Sequence, residues 1–157
     1  MMRDPEVAYW LGSSMTTAQV AAAVERARTA VSSHGVGMLA AERKSDGAFV
    51  GSIGVRRIPA ERDHPMQGEV EIGWRLAREA WGAGYASEGA AAALAWGLAL
   101  PDVRQIVAFT AQSNTRSEAV MRRIGMERAP RSDFDHPALA PGHPLRSHMV
   151  YLKRKAG

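Results

Sequence analysis

The stretch EIGWRLAREAWGAGYASEG, residues 71–89, connects a segment with strand-like alternation to a segment rich in alanine. Polar or small side chains alternate with apolar ones over residues 69–74, which predicts a β-strand with two unlike faces. The alanine-rich residues 86–100 predict a helix that ends before a proline. Gly82 and Gly84 therefore lie at a strand-to-helix junction, where glycines let the backbone approach a ligand closely.

Two well-known glycine loops do not fit this junction. A dinucleotide-binding turn needs Gly-x-Gly-x-x-Gly, whereas Gly89 follows Gly84 by five residues. An ATP-binding loop needs Lys and then Ser or Thr after its last glycine, and Tyr85-Ala86 stands there instead. Backbone amides at the positive end of a helix can bind a pyrophosphate without a metal ion, and this interpretation fits. A tight turn that only packs on the sheet stays open as the alternative.

The rest of the chain predicts a fold of the α/β or α+β class around one mixed sheet. Helices are expected to begin at Asp4-Pro5, at Thr16 or Thr17, after Gly84 and after Asn114. The expected strands are VGMLAAER (36–43), AFVGSIGVRRI (48–58), GEVEIGWRL (68–76), RQIVAFTA (104–111), MERAPRSDF (126–134) and SHMVYLKR (147–154). No repeat or long linker divides the chain, so residues 1–157 predict a single domain.

Composition narrows the function classes. The 157 residues are 46% hydrophobic and include no cysteine, which excludes disulfides, thiolate metal sites and a cysteine nucleophile. No apolar run is long enough to cross a bilayer and no signal peptide is visible, so a cytoplasmic protein is expected. The net charge of +4 favours anionic partners, but no basic stripe interleaved with aromatic residues accompanies it, so a nucleic-acid partner is not expected.

The segment at residues 71–89 strongly resembles the acetyl-coenzyme A motif of the GNAT N-acetyltransferase superfamily. It is most similar to the RimJ/RimL-like branch, in which EIGW-x-L runs into WG-x-GYA-x-E. NTRSEAVMRRIGM (114–126) resembles the second signature of that branch, and DFDHPALAPGHPLRSHMVY (133–151) resembles a closing segment found in part of it. The resemblance implies the GNAT fold, a single mixed, mostly antiparallel central sheet flanked by helices. The usual first strand is not seen here ahead of the helix at Pro5, so either the start of the chain is assigned too late or the sheet is expected to be one strand short at an edge.

The resemblance also implies a donor site for acetyl-CoA. The strand that enters the glycine turn separates from its neighbour in this family, and pantetheine pairs with its free backbone groups, here those of Trp74 to Leu76. The pyrophosphate is expected on the backbone amides of Gly82, Ala83, Gly84, Tyr85 and Ala86. Asn114 is expected to contact the pantetheine arm. This arrangement requires no metal ion.

An acetyl-CoA-dependent N-acetyltransferase that acts on a primary amine needs a base, a polarised thioester carbonyl and a proton donor for the thiolate. The family places an acidic residue beside the acetyl group, which makes Glu71 the first candidate base. Glu69, two residues back and about 7 Å away on the same face, is the second. A strand amide near Leu76 is expected to stabilise the carbonyl oxygen. Many members protonate the thiolate with a tyrosine where Met121 stands, so Ser117 or water is expected to take that role.

The segment with Asp133, Asp135, His136, His143 and His148 carries several metal-ligand residue types. Their spacing matches no standard metal motif and prolines stiffen the segment, so a structural or substrate-facing polar loop is the better interpretation.

Several alternatives stay open at this point. A protein N-terminus, a lysine or a small-molecule amine can each be the acceptor. A non-catalytic acyl-CoA-binding or regulatory domain is the rival function, and a basic nucleic-acid-binding module comes third. Membrane association is not expected, and a homodimer is left open.

Overall fold

The computed structural model describes residues 1–12, 14–61 and 63–156. Its α-helices are α1 (Pro5–Tyr9), α2 (Thr17–His34), α3 (Tyr85–Ala99) and α4 (Thr115–Arg123). Its strands are β1 (Met38–Glu42), β2 (Phe49–Arg57), β3 (Val70–Leu76), β4 (Gln105–Ala111), β5 (Glu127–Arg128), β6 (Phe134–Asp135) and β7 (Ser147–Arg154). Short 3₁₀ turns span Arg78–Ala80 and Pro130–Ser132.

In these described ranges the strands form one sheet in the order β1-β2-β3-β4-β7-β5, and β6 also pairs with β7. The contact between β3 and β4 is parallel, and the other strand pairs are antiparallel. The predicted mixed, mostly antiparallel sheet flanked by helices is therefore confirmed. Strand β1 pairs only with β2, and α1 and α2 are the elements that precede it in the described part of the chain.

The helices begin where the capping residues predict. The Asp4 carboxylate accepts hydrogen bonds from the first amides of α1. Thr16 and Gln19 form a reciprocal capping box at the start of α2, and Gly35 ends that helix in the left-handed conformation. Helix α2 nevertheless buries none of its residues fully, and Val24 on its apolar face is 47% exposed.

Helix α3 packs closely on the centre of the sheet because its contact face carries small residues. A Cβ placed on Gly97 would lie 2.7 Å from Ile106 Cδ1, and one on Gly89 would lie 2.5 Å from Ile53 Cδ1. Side chains larger than hydrogen would push the helix away from β2 and β4. This packing positions the start of α3 beside the end of β3, and the two together form the glycine turn.

The prediction of one strand over residues 126–134 is wrong in its middle. The structure has two short strands there, β5 and β6, separated by the 3₁₀ turn at Pro130–Ser132. Pro130 has no N–H to donate to a ladder. The Asp133 carboxylate instead accepts hydrogen bonds from Arg128 and from the backbone N–H of Val150, which holds the turn against β7.

Candidate functional site

Strands β3 and β4 separate toward the carboxyl end of β3. In the described residues the two parallel strands pair only at Glu71 and Val107. By contrast, β3 pairs with β2 along its whole length, from Val70 to Leu76. An opening therefore begins just beyond Glu71, with one edge of β3 free of a partner strand.

The backbone groups of Trp74 and Leu76 point into this opening. Ala77 N donates to Val50 O on β2 at 2.9 Å, and residues that face the partner strand alternate along an antiparallel pair. Trp74 and Leu76 are therefore residues of β3 whose backbone groups face away from β2. The carbonyl of Leu76 accepts a hydrogen bond from the indole Nε1 of Trp81 at 3.0 Å. The N–H of Leu76 has no hydrogen-bond partner in the described residues and is available to a ligand.

The chain turns at Gly82 and Gly84 before it enters α3. Their φ angles of +76° and +85° lie in the left-handed region that favours glycine. Gly84 is the N-cap of α3, and no side chain caps that helix. A Cβ at either glycine would meet no atom within 4 Å, so the space above the turn is open. In the described part of the chain, no hydrogen bond is made by the backbone N–H groups of Gly82, Ala83, Gly84, Tyr85 and Ala86.

Two arginines lie over the ring of Trp81, which directly precedes this turn. The guanidinium carbons of Arg78 and Arg116 are 5.0 and 4.9 Å from the ring centroid, a cation–π distance. Arg78 also donates to Glu6 of α1 at 2.8 Å, and Arg116 belongs to the first turn of α4. The contacts bring the turn, α1 and α4 together and place positive charge beside the unpaired amides.

A third arginine approaches the turn from the hairpin between β1 and β2. Arg43 forms an ion pair with Asp46 at 2.5 Å, and its guanidinium also lies near the phenol of Tyr85. Asp46, and after it Tyr85, raise the pKa of Arg43, while Arg43 lowers the pKa of Asp46 to about 2. Arg43 therefore stays charged close to the first residue of α3.

Asn114 joins the end of β4 to the start of α4. Its side chain is buried, accepts from the backbone N–H of Ser117 at 3.2 Å and donates to Thr110 Oγ1 at 3.1 Å. The Ser117 hydroxyl makes no hydrogen bond in the described part of the chain. Met121 is 1% exposed and belongs to the core. An open groove of about 540 Å³ lies beside this junction, lined by Pro5, Glu6, Tyr9, Trp10, Thr115 and Arg116.

Glu71 is buried on the face of β3 that lies opposite α3. Its Oε2 binds the guanidinium of Arg56 on β2, with distances of 2.8 Å to Nε and 2.7 Å to Nη2. Its Oε1 has no hydrogen-bond partner in the described residues, yet it is not sealed from solvent. Glu69 directly precedes β3 and falls on the same face by the strand alternation, and its Oε1 accepts from Gln105 at 2.9 Å.

Aromatic and imidazole rings continue this face beyond Glu71. Phe109 lies two residues after Val107 on β4, so it shares the face of Glu71, and His148 follows on β7 by the strand register. The neighbouring rings have centroids 5.0 to 6.3 Å apart. The ring cluster consists of His64, Phe109, Phe134, His136 and His148.

The segment after residue 132 is held by its own polar contacts. Asp135 accepts from Ser147 at 2.9 Å and from Arg146 at 3.1 Å, and His143 Nδ1 accepts from Leu145 N at 3.1 Å. Across residues 1–12, 14–61 and 63–156, no group of three or more His, Asp or Glu side chains is arranged to hold a metal ion. In the same ranges no helix has the length and hydropathy needed to span a bilayer.

Comparison with known proteins identifies the family. The family model for the acetyltransferase (GNAT) domain matches residues 1–127. The chain belongs to this GNAT family. The uncharacterized protein YkkB of Bacillus subtilis is 36% identical over 93 residues, which are 59% of this chain. The match spans about half of YkkB, 52% of its length.

Solved structures share the fold of this GNAT domain. A GNAT-family acetyltransferase from Bacillus anthracis has a TM-score of 0.76 at 22% identity, covering 98% of this chain and 84% of that one. The spermidine N-acetyltransferase of Vibrio cholerae, solved with CoA and spermine, has a TM-score of 0.71 at 11% identity, covering 98% and 85%. At these identities the likeness concerns the fold alone.

The GNAT domain brings most of the predicted residues into two neighbouring places. The backbone groups of Trp74, Leu76 and residues 82–86 line the opening and the turn, and Asn114 stands beside them. Glu71 and Glu69 lie together on one strand face. The sequence reasoning missed Arg56 and Arg116, because a pairing across strands or helices leaves no local spacing signal. It also missed Arg43, whose ion pair with Asp46 is local but whose contact with Tyr85 joins two distant elements.

Proposed function

We propose that this protein is an acetyl-CoA-dependent N-acetyltransferase of the RimJ/RimL-like branch that acts on a primary amine by direct attack in a ternary complex. One observation carries the proposal: the opening between β3 and β4 leads to a glycine turn with five unpaired amides at an uncapped helix start. Such amides, together with the positive end of the helix dipole, bind phosphate groups.

The residues at this end of the domain fit the donor. The amides of residues 82–86 would bind the pyrophosphate, and the charges of Arg43, Arg78 and Arg116 lie beside it. Trp74 and Leu76 offer backbone groups to an extended amide-bearing chain, as in strand addition. The Vibrio cholerae enzyme with this fold was solved with CoA, which supports the same donor here.

Acetyl-CoA supplies an activated thioester, and groups of the domain accept and donate the protons and hydrogen bonds that the transfer needs. Glu71 Oε1, the oxygen that Arg56 does not bind, accepts the proton of the attacking amine directly or through a water molecule. The Leu76 N–H donates to the thioester oxygen as negative charge develops there. As the new N–C bond forms and the C–S bond breaks, the thiolate takes a proton from Ser117 or from water.

Thermal-shift titration tests the donor half of the proposal. Acetyl-CoA and CoA are expected to raise the unfolding temperature, whereas ATP at the same concentration raises it less because it lacks the pantetheine arm. The absence of any stabilisation by the CoA ligands would exclude this function.

Thiol release tests the transfer itself. Free CoA thiol is expected to appear only when acetyl-CoA and a primary amine are both present. Stabilisation by acetyl-CoA without thiol release from any amine of a broad panel, including peptide N-termini, lysine and small amines, would favour a non-catalytic acyl-CoA-binding domain.

We also propose that residues 1–157 form one GNAT domain and that it works in the cytoplasm, where acetyl-CoA is produced. The oligomeric state is left open by the sequence, and light scattering coupled to size exclusion measures it.

A further inference from the structure

Arg75 stands on the same strand face as Glu71, four residues further along β3. The register with β2 is regular over this stretch, so three cross-strand rungs follow one another on that face. Glu71 lies opposite Arg56, Gly73 lies opposite Gly54, and Arg75 lies opposite Ser52. The middle rung carries no side chain, and it separates the ion pair from Arg75.

The Gly37–Met38 segment covers this glycine rung. A Cβ built on Gly73 would lie 3.5 Å from Met38 Sδ and 3.9 Å from Glu71 Oε1, and one built on Gly54 would collide with the carbonyl oxygen of Gly37. Met38 therefore stands between Glu71 and Arg75 on this face. An acceptor that binds both residues would reach Glu71 with its amine and Arg75 with its second polar group.

Arg75 is a half-buried cation without a counterion. In the described residues its guanidinium makes no hydrogen bond and no ion pair, and none of its nitrogens is sealed from solvent. Burial lowers the pKa of Arg75 and the charge of Arg56 lowers it further, against the opposing effect of Glu71. An unpaired charge of this kind costs stability unless a partner reaches it.

In the described residues, no carboxylate of this face binds Arg75 directly. Glu71 is already paired with Arg56 through Oε2, and Glu69 is bound by the neutral side chain of Gln105. A carboxylate matches a guanidinium in geometry and charge. The carboxylate of Asp135, which acts on His148 of the ring cluster, is already bound by Arg146 and Ser147.

We propose that Arg75 is a specificity-determining residue that binds a carboxylate of the acceptor, so that the substrate class is amines that also carry a carboxylate group, such as amino acids or acidic peptides. The inference rests on the proposed N-acetyltransferase function and deepens it. It distinguishes this domain from enzymes that take polycationic amines, for which an unpaired guanidinium at the acceptor face would be repulsive.

Matched acceptors test the proposal. Each amino acid of a panel is compared with its own amide, which keeps the amine and removes the carboxylate. The amide amine has the lower pKa and is more often neutral, so its intrinsic reactivity works against the expected result. The wild-type protein is expected to use the acids with a kcat/KM at least about 10-fold higher, the factor typical of one charge-assisted hydrogen bond.

The variant Arg75→Gln is expected to lose about 10- to 100-fold in kcat/KM for the acids, mostly through KM, and to leave the amides and the KM for acetyl-CoA unchanged. Arg75→Lys keeps the charge and is expected to retain part of the preference for acids over amides. Arg131→Gln, at an exposed arginine of the 3₁₀ turn after β5, is the matched control and should change nothing. Thermal unfolding verifies that each variant is folded.

Three results would each overturn this inference while leaving the N-acetyltransferase function in place. They are an equal kcat/KM for acids and amides in the wild type, equal losses of kcat/KM for both in Arg75→Gln, and a raised KM for acetyl-CoA in that variant. If no amine is acetylated, calorimetry of the same acids with CoA-loaded protein tests whether the acids bind. Failure of every acid to bind overturns the inference, and failure of CoA itself to bind removes the proposed function.

Discussion

The proposed donor end and the proposed acceptor face of this GNAT domain are built in different ways. The donor end, at residues 82–86, consists of backbone groups that are consecutive in sequence and are left unpaired by the turn. The acceptor face consists of side chains from β2, β3, β4 and β7. A backbone site depends on φ angles and on empty space, whereas a side-chain site depends on which charges the sheet brings into contact.

This difference predicts how each region tolerates substitution. A change at the donor end should weaken acetyl-CoA binding through backbone geometry and leave the chemistry of bound substrates intact. A change at the acceptor face should alter turnover or acceptor choice with little effect on the donor.

The largest effect is expected for Glu71→Gln. The amide keeps the shape and can still accept a hydrogen bond from Arg56, but it cannot take a proton from the amine. We expect kcat to fall about 100-fold or more. Calorimetry should show a Kd for acetyl-CoA within about twofold of the wild type, the small change typical of a substitution outside a binding contact.

Glu69→Gln is the control for this loss. The carboxylate of Glu69 is held by Gln105 on the same face, so Glu69→Gln is expected to reduce activity far less than Glu71→Gln. If Glu69→Gln is the more damaging change, the base assignment moves to Glu69. If neither change affects kcat or its pH profile, the acceptor face holds no carboxylate base.

A smaller effect is expected for Gly84→Val, at the donor end. Its φ of +85° disfavours valine by about 1–2 kcal/mol of folding stability, and the side chain would occupy the open space above the turn. We expect acetyl-CoA binding, measured by calorimetry, to weaken about 10-fold or more, which corresponds to one lost phosphate contact.

Gly35→Val separates the two causes. Gly35 ends α2 with a φ of +68°, and a Cβ added to it would likewise meet no atom within 4 Å. The stability loss should therefore be similar, while acetyl-CoA binding should stay unchanged. Equal weakening of acetyl-CoA binding by both changes would mean that the turn at Gly84 is only structural.

The smallest effect concerns pH and the ring cluster. Burial lowers the pKa of His148, with weaker opposing effects from Arg146 and Asp135. The unfolded chain therefore takes up a proton near pH 6.5, before the folded protein does. Stability is full above that pH and is lost as the pH falls toward the lower folded pKa. We expect the unfolding temperature to decrease from pH 7.5 to pH 5.5.

His148→Phe should reduce this decrease, because phenylalanine does not titrate and fits among the neighbouring rings. His34→Gln, at the exposed end of α2, is the control and should leave the pH dependence as it is. The lowered pKa values of Glu118, Asp133 and Asp135 act only as the pH falls through the carboxyl range, below this window. A pH dependence unchanged in His148→Phe would contradict the assignment.

Local signals in the sequence were sufficient for the glycine turn and for most of the elements. The capping residues Asp4, Thr16 and Asn114 mark helix starts, because a cap forms within three residues of its own side chain. The alternation in β3 and the glycines before α3 place the turn for the same reason. One local interpretation failed at residues 126–134, where strand-like residues are interrupted by Pro130 and by contacts with β7.

The amino-acid sequence alone determined the strand, the glycine turn and the helix that follows it, since those depend on backbone preferences of consecutive residues. Only the tertiary structure decided that Glu71 is paired with Arg56, 15 residues away, and that Arg75 is left without a partner in the described part of the chain. It also decided that Trp81 lies under Arg116 and that His64 joins His136 and His148. The physical reason is that charge pairing and ring packing depend on distance in space, which strand register and helix packing set.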